Sequence, residues 1–295
     1  MSRILLLGRA GSGKTHSCLD SLAQALAGGR THALLLVPTY GQAEHLRLRL
    51  LDRTGGLSAR TVLTFSSLAE YVLEHRLAHL VAPPVRDRVA AEVLAEVFPE
   101  AAGRPGFRAE FLATVKELRS QGVDPVEGLA KARAHFPDAS RELHLFEAYE
   151  RFVARLPGPD HEQLLIDARD SLRAKAPRLD LFLIDGFHDF TPVEREIVDL
   201  MAQGAAETVL TLPMDPSDPH DPVFLTAART ARSFEGFERR ALSDNHRATG
   251  ALARLERGLF QEPGPATPGD GIECIACASE EDEADRLARL VLRSG

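Results

Sequence analysis

Long apolar stretches are missing from this chain. Runs such as Ala33-Leu34-Leu35-Leu36-Val37 and Leu181-Phe182-Leu183-Ile184 are strand-length, far short of the roughly 20 residues that span a bilayer. The N-terminus passes from Arg3 through four apolar residues into a glycine-rich turn, too short for a signal-peptide core. These absences exclude a transmembrane segment and imply a cytoplasmic location. Cysteine is equally scarce: three thiols, Cys18, Cys274 and Cys277, give an odd count without a disulfide framework. Cys274 and Cys277 have metal-pair spacing, but the second pair of a four-ligand site is missing, and strand cysteines are the expected reading. Positive charge is not in excess either. A formal net charge of −8 argues against nucleic-acid binding through bulk basicity, so any DNA contact must be local. Internal repeats are absent, and the one biased tract, Gln261–Gly271, reads as a proline–glycine linker.

What is present starts at the eighth residue. Gly8-Arg9-Ala10-Gly11-Ser12-Gly13-Lys14-Thr15 spells G-x-x-x-x-G-K-[ST] directly after Ile4-Leu5-Leu6-Leu7 and before a stretch with helical periodicity. The glycines allow backbone N–H groups to turn around a phosphate, and Lys14 would reach the β and γ phosphates. The Thr15 hydroxyl would ligate Mg²⁺, at a helix N-terminus that favours anions. The pattern predicts ATP·Mg²⁺ binding; a ligand-free strand–helix turn is the bland alternative.

The first quarter alternates strands (Arg3–Leu7, Ala33–Val37, Arg60–Phe65) with helices (Thr15–Leu26, Gln42–Asp52, and one capped by Ser66 or Ser67 and running to about Leu80). That βαβ rhythm predicts a parallel sheet with helices on both faces. From Pro83 to about Pro177 apolar residues recur at helical spacing in Val89–Phe98, Phe107–Leu118, Val126–Ala134, Leu143–Val153 and Leu164–Leu172, an all-helical insertion of roughly 90 residues. Strands at Leu179–Ile184 and Thr208–Leu212 flank a helix at Val193–Ala202. Beyond the linker, Ile272–Ala278 reads as a strand and Glu280–Leu292 as a helix with an acidic first turn. The expected fold class is α/β: a P-loop NTPase (RecA-like) domain over 1–82 and 178–260, a helical insertion over 83–177, a linker over 261–271, and at 272–295 the start of a truncated second domain. The chain thus reads as a fragment or a truncated member of something longer.

A Mg²⁺ ion on Thr15 needs a carboxylate at a nearby strand end. Asp185, closing Leu181-Phe182-Leu183-Ile184, is the candidate; such an aspartate also serves as a turn or cap residue. Here motifs accumulate. Asp185-Gly186-Phe187-His188-Asp189-Phe190-Thr191 resembles the D-E-F-Q-D-T segment of UvrD/Rep-like superfamily 1 helicases. Thr64-Phe65-Ser66-Ser67-Leu68-Ala69 resembles their T-F-H-S-L-A, and Asn245-His246-Arg247-Ala248-Thr249 their N-Y-R-S-T, all in the family's order. The phosphate loop almost at the first residue and D-G-F in place of D-E-F resemble the AddB-like component of AddAB/RexAB-type helicase–nucleases.

The resemblance implies a helicase-like module of DNA double-strand-break repair, working with a helicase–nuclease partner subunit on DNA, with any nuclease and iron–sulfur residues beyond Gly295. It implies that Arg247 approaches the γ-phosphate, and that Thr39, Tyr40, Thr64 and Phe65 line a single-strand track; Phe65 is equally readable as core. Departures bear on the chemistry. Gly186 stands where active helicases carry the acid that deprotonates the attacking water, so weak or absent hydrolysis is expected. Asp189 and Glu194 are possible substitutes, for which salt-bridge or cap roles are the stronger expectation. The γ-phosphate-sensing G-D-x-x-Q is not recognisable in Pro213-Met214-Asp215-Pro216-Ser217-Asp218. An active DNA-stimulated motor and a P-loop kinase of a small molecule are the alternatives.

Overall fold

A computed structural model describes residues 2–73, 80–138, 140–215, 217–218, 221–247, 250–258, 273 and 275–294. It divides into two units, residues 1–243 and 244–295.

In the first unit, six strands among the described residues form one sheet: β1 (Ser2–Gly8), β2 (Ala33–Leu36), β3 (Val62–Leu63), β4 (Leu179–Ile184), β5 (Ala205–Pro213) and β6 (Glu238–Leu242). They lie in the order β3-β2-β4-β5-β1-β6 and every pair is parallel. The central strands read as apolar runs because both faces are covered. Leu5, Leu7, Leu34, Leu36, Phe182, Ile184, Leu210 and Leu212 face one core; Leu35, Leu181 and Leu183 face the other, against Leu19, Leu22, Leu46 and Leu50. The latter four come from α1 (Lys14–Ala27) and α2 (Tyr40–Thr54). The first core also takes residues from α3 (Phe65–Leu73), α9 (Pro192–Gly204) and α10 (Leu225–Ser233).

Between β3 and β4, after α3, come α4 (Pro83–Val97), α5 (Pro105–Ser120), α6 (Pro125–His135), α7 (Arg141–Arg155) and α8 (His161–Ala174). These match the five expected helices with longer ends, except that α4 stops at Val97, one residue before the expected Phe98. Pro83, Pro105 and Pro125 each open a helix, where a missing N–H costs nothing. Phe98, Phe111, Tyr149 and Phe152 build a core belonging to these helices. A buried polar clamp ties α5 to α8: Arg119 donates to both oxygens of Asp160 at 2.7 and 2.8 Å and to Gln163 Oε1 at 2.5 Å, while Asp160 caps α8 through the Gln163 amide.

Several expectations need correction. The third strand is two residues, not Arg60–Phe65, because Phe65 already begins α3. The cap of α3 is Thr64 rather than Ser66 or Ser67: Thr64 Oγ1 accepts from the Ser67 amide and Ser67 Oγ accepts from the Thr64 amide. The sequence reading also missed α10 and β6.

In the second unit, α11 (Gly250–Gly258) and α12 (Glu280–Ser294) are helical. The expected strand over Ile272–Ala278 does not form at 275–277, since no strand among the described residues of this unit is there to pair with it. Glu280, Glu281, Asp282 and Glu283 occupy the first turn of α12 as expected. The linker 261–271, Ile272 and Cys274 lie outside the described residues.

Candidate functional site

Strands β2 and β4 end in register, Leu36 beside Ile184, while β5 and β1 continue past Leu210 and Leu5, the residues on that level, to the pair Pro213 and Gly8 at the same carboxyl edge. Loops leaving that carboxyl edge are where parallel sheets hold ligands. The loop after β1 turns through Gly11 (φ 79°) and Gly13 (φ 88°), left-handed conformations that glycine adopts without penalty. Gly8 is required for a different reason: a Cβ there would lie 2.3 Å from Ser12 Oγ and 2.9 Å from the Leu242 carbonyl.

Among the described residues no side chain caps the N-terminus of α1 and its first turn carries no acid. By contrast, Thr39, Asp124, Ser140, Asp160 and Thr191 each cap their own helix. The uncapped N–H groups of α1 suit an anion. Lys14 folds over the loop, its Nζ donating to the Gly8 carbonyl at 2.5 Å, the Arg9 carbonyl at 2.8 Å and Ser12 Oγ at 3.4 Å.

Thr15 and Asp185, 170 residues apart in sequence, meet: Thr15 Oγ1 donates to Asp185 Oδ2 at 2.7 Å. Asp185 is buried, and its other oxygen accepts from Thr211 Oγ1 of β5 at 2.6 Å. A hydroxyl beside a carboxylate at an uncapped helix start matches the sparse protein ligation of Mg²⁺, which keeps waters and phosphate oxygens as its other ligands. Behind them Cys18 is buried, and its thiol is pushed well above its ordinary pKa by that burial, then by the Asp185 charge, against the opposing charge of Lys14. It is a packing residue.

Gly186 has φ +88°, and a Cβ built on it would lie 3.2 Å from Pro38 Cδ and 3.6 Å from Gln42 Nε2. Glu194 is committed to the capping box of α9, its Oε2 accepting from the Thr191 amide and hydroxyl, both at 3.0 Å. This is the cap role expected from the sequence.

Of the residues expected to meet DNA, Thr39 caps α2, Thr64 caps α3, and Tyr40 stands out with 70% of its surface exposed. Phe65 is 8% exposed and packs edge-on against Phe187 at 5.5 Å and Phe190 at 6.3 Å. The two phenylalanines carrying the motif resemblances are thus one core contact. Arg247 lies in the second unit, exposed, in a turn where its amide donates to Asn245 Oδ1 at 2.9 Å. Ala248 and Thr249 lie outside the described residues.

Sequence reasoning missed two participants. Thr211 is a polar residue inside a buried strand, which a hydropathy pattern passes over. Asp215 pairs with Arg9 of the loop at 2.9 Å, a contact across 206 residues. Burial works to raise the Asp215 carboxyl, but the Ser217 hydroxyl and amide and the Arg9 guanidinium outweigh it and leave it below the usual range.

Fold and site together define an α/β protein whose parallel sheet gathers a glycine loop, a lysine, a threonine hydroxyl and a buried carboxylate at one edge. Comparison with known proteins gives it a family: the family described as ADDB, N-terminal, matches residues 5–82 and 90–242, and the chain belongs to it. Similar proteins include the B-type subunit of the ATP-dependent helicase/deoxyribonuclease of Desulforamulus reducens, 28% identical over 99% of this chain and 29% of the relative. The corresponding proteins of Desulforudis audaxviator (30% identical, 99% and 28% covered) and Moorella thermoacetica (28% identical, 99% and 29% covered) are comparable. The chain spans less than a third of the length of these relatives. No helix among the described residues is long and apolar enough to cross a membrane.

Proposed function

We propose that this chain is the ATP-binding, helicase-like module of a DNA double-strand-break repair helicase–nuclease, one that holds ATP·Mg²⁺ and hydrolyses it weakly or not at all. Residues 1–82 and 178–260 form its P-loop NTPase domain, 83–177 an inserted helical subdomain, 261–271 a linker, and 272–295 the start of a second motor domain. The observation that carries the reading is the 2.7 Å hydrogen bond between Thr15 and Asp185.

Residues Gly8 to Gly13 present backbone N–H groups to phosphate, and Lys14 exchanges its loop carbonyls for phosphate oxygens. Thr15 and Asp185 would hold Mg²⁺, which when bound neutralises phosphate charge. Arg247 is assigned to the γ-phosphate on the motif resemblance alone. The weakness of hydrolysis follows from Gly186, which carries no group to orient or deprotonate water, and from Glu194, whose carboxylate is held by Thr191. For DNA, exposed Tyr40 is the aromatic face that can stack on a base. Thr39 and Thr64 fix the helix starts beside it, and Phe65 supports them from the core. A helicase–nuclease partner subunit is inferred from the relatives, which are themselves subunits of a helicase/deoxyribonuclease.

Binding of a fluorescent ATP analogue, abolished by Lys14→Ala, combined with γ-phosphate release at background level with or without single-stranded DNA, is the expected result. DNA-stimulated release that Lys14→Ala abolishes would replace this reading with that of a working motor. Phosphate transfer to a metabolite would replace it with that of a kinase.

A further inference from the structure

The segment after β5 is fastened to the phosphate loop from two sides. Gly8 pairs with Pro213, and the Met214 amide donates to the Gly8 carbonyl at 3.2 Å. One residue on, Asp215 Oδ2 accepts from Arg9 Nη1 at 2.9 Å, while its other oxygen accepts from the Ser217 amide at 2.8 Å and the Ser217 hydroxyl at 2.5 Å. The Arg9 guanidinium also lies over the Phe224 ring, 5.3 Å from its centroid. The ion pair is sheltered, with side-chain exposures of 21% and 17%. The two carbonyls on which Lys14 rests, those of Gly8 and Arg9, therefore belong to the two residues that this segment holds.

We infer that the Arg9–Asp215 pair is a positioning clip that holds the opening of the phosphate loop in place when Lys14 leaves its carbonyls for nucleotide phosphates, and so strengthens nucleotide binding. This rests on the ATP-binding reading above. Moving the Lys14 ammonium onto phosphate strips a donor from each of two loop carbonyls. The Gly8 carbonyl keeps its bond from Met214, and the Arg9 carbonyl keeps a longer one, 3.3 Å, from the Ser12 amide of the same loop. Asp215 ties the Arg9 side chain to the end of β5, a fixed point outside the loop. Strand β5 also carries Thr211, bonded to Asp185, so one strand end touches both the loop and the candidate metal carboxylate. In this chain the clip stands in the segment where the resembling helicases have their sensing glutamine.

The test measures dissociation constants of fluorescent ATP and ADP, with Mg²⁺, for the whole chain and for Arg9→Gln, Asp215→Asn, Asp215→Glu and the double Arg9→Gln/Asp215→Asn, with thermal melts alongside. Each single charge-removing variant is expected to weaken ATP and ADP binding alike, about five-fold, the range of a sheltered pair between exposed and buried limits. The double variant falls no further, Asp215→Glu restores most of the affinity, and melting temperatures stay within error. Additive losses in the double variant, or an unchanged affinity in either single, overturn the clip while leaving ATP binding intact. Failure of the unaltered chain to bind ATP overturns both readings together.

Discussion

Restoring a glutamate at position 186 is the obvious way to try to awaken hydrolysis, and the backbone resists it. At φ +88° a side chain adopts the left-handed region, which costs a non-glycine residue about 1–2 kcal/mol. The Cβ adds a contact 3.2 Å from Pro38 Cδ, and proline's ring cannot rotate away as a flexible side chain would. For a unit of this size each kcal/mol lowers the melting temperature by roughly 2–4 °C. Gly186→Ala is therefore expected to melt about 2–8 °C below the unaltered chain. Gly186→Asn should lose less, because asparagine tolerates the left-handed region. Gly186→Glu should lose at least as much as alanine and leave γ-phosphate release at background, since its carboxylate is carried by a displaced backbone. Differential scanning fluorimetry and a coupled phosphate assay read the two halves. A Gly186→Glu chain that melts with the parent and turns over ATP would refute the reasoning.

Three further outcomes follow from the geometry. Glu194→Ala removes one arm of the capping box and should cost about 1 kcal/mol in urea unfolding without changing phosphate release; a fall in release would make Glu194 a chemical residue. Arg119→Met leaves Asp160 buried, with the next guanidinium, that of Arg86, 3.5 Å away, and should destabilise by about 3–5 kcal/mol, whereas a loss under about 1 kcal/mol would show that water reaches the clamp. Tyr149, whose phenol donates to the Val123 carbonyl at 2.7 Å, is pushed up to about 12 by burial and then by the Asp124 and Asp160 charges, against the opposing charge of Arg119. Its proton is held longer in the folded chain, so its contribution to stability is full below pH 10 and lost as pH rises towards 12; Tyr149→Phe should flatten that alkaline loss, and an unchanged profile would contradict it.

The parts of the fold legible in the sequence were those where one force dominates. Strands β1, β2 and β4 are buried on both faces, so Ile4–Leu7, Ala33–Val37 and Leu181–Ile184 stand out as runs. The insertion helices each bury one stripe, so their periodicity survives. β6 escaped because Glu238-Arg239-Arg240-Ala241-Leu242 is an edge strand with exposed side chains, whose place is set by pairing to β1 and not by hydropathy. The strand expected over 272–278 is absent at 275–277 for the converse reason: pattern without a partner among the described residues. At the site, glycine spacing announced the loop and an acid ending an apolar run announced Asp185, because both are local. Thr211 and the Arg9–Asp215 pair depend on β5 lying between β4 and β1, a fact of strand order that no short window contains.

That strand order also bears on what the missing acid means. If Gly186 were a simple deletion from an otherwise intact catalytic edge, the space left by the carboxylate would be open. Instead Pro38, just past the end of β2, comes within 3.2 Å of where a Cβ on 186 would sit, and Pro38 immediately precedes Thr39 and exposed Tyr40. A side chain at 186 therefore asks the β2–α2 segment to give by a few tenths of an ångström at Pro38. The loop after Asp185 is thus fitted to glycine twice over, by its positive φ and by the close approach of the segment bearing Tyr40, and a water-activating acid there would strain both. This sequence keeps Lys14, Thr15 and Asp185 together while placing the start of α2 against the same edge.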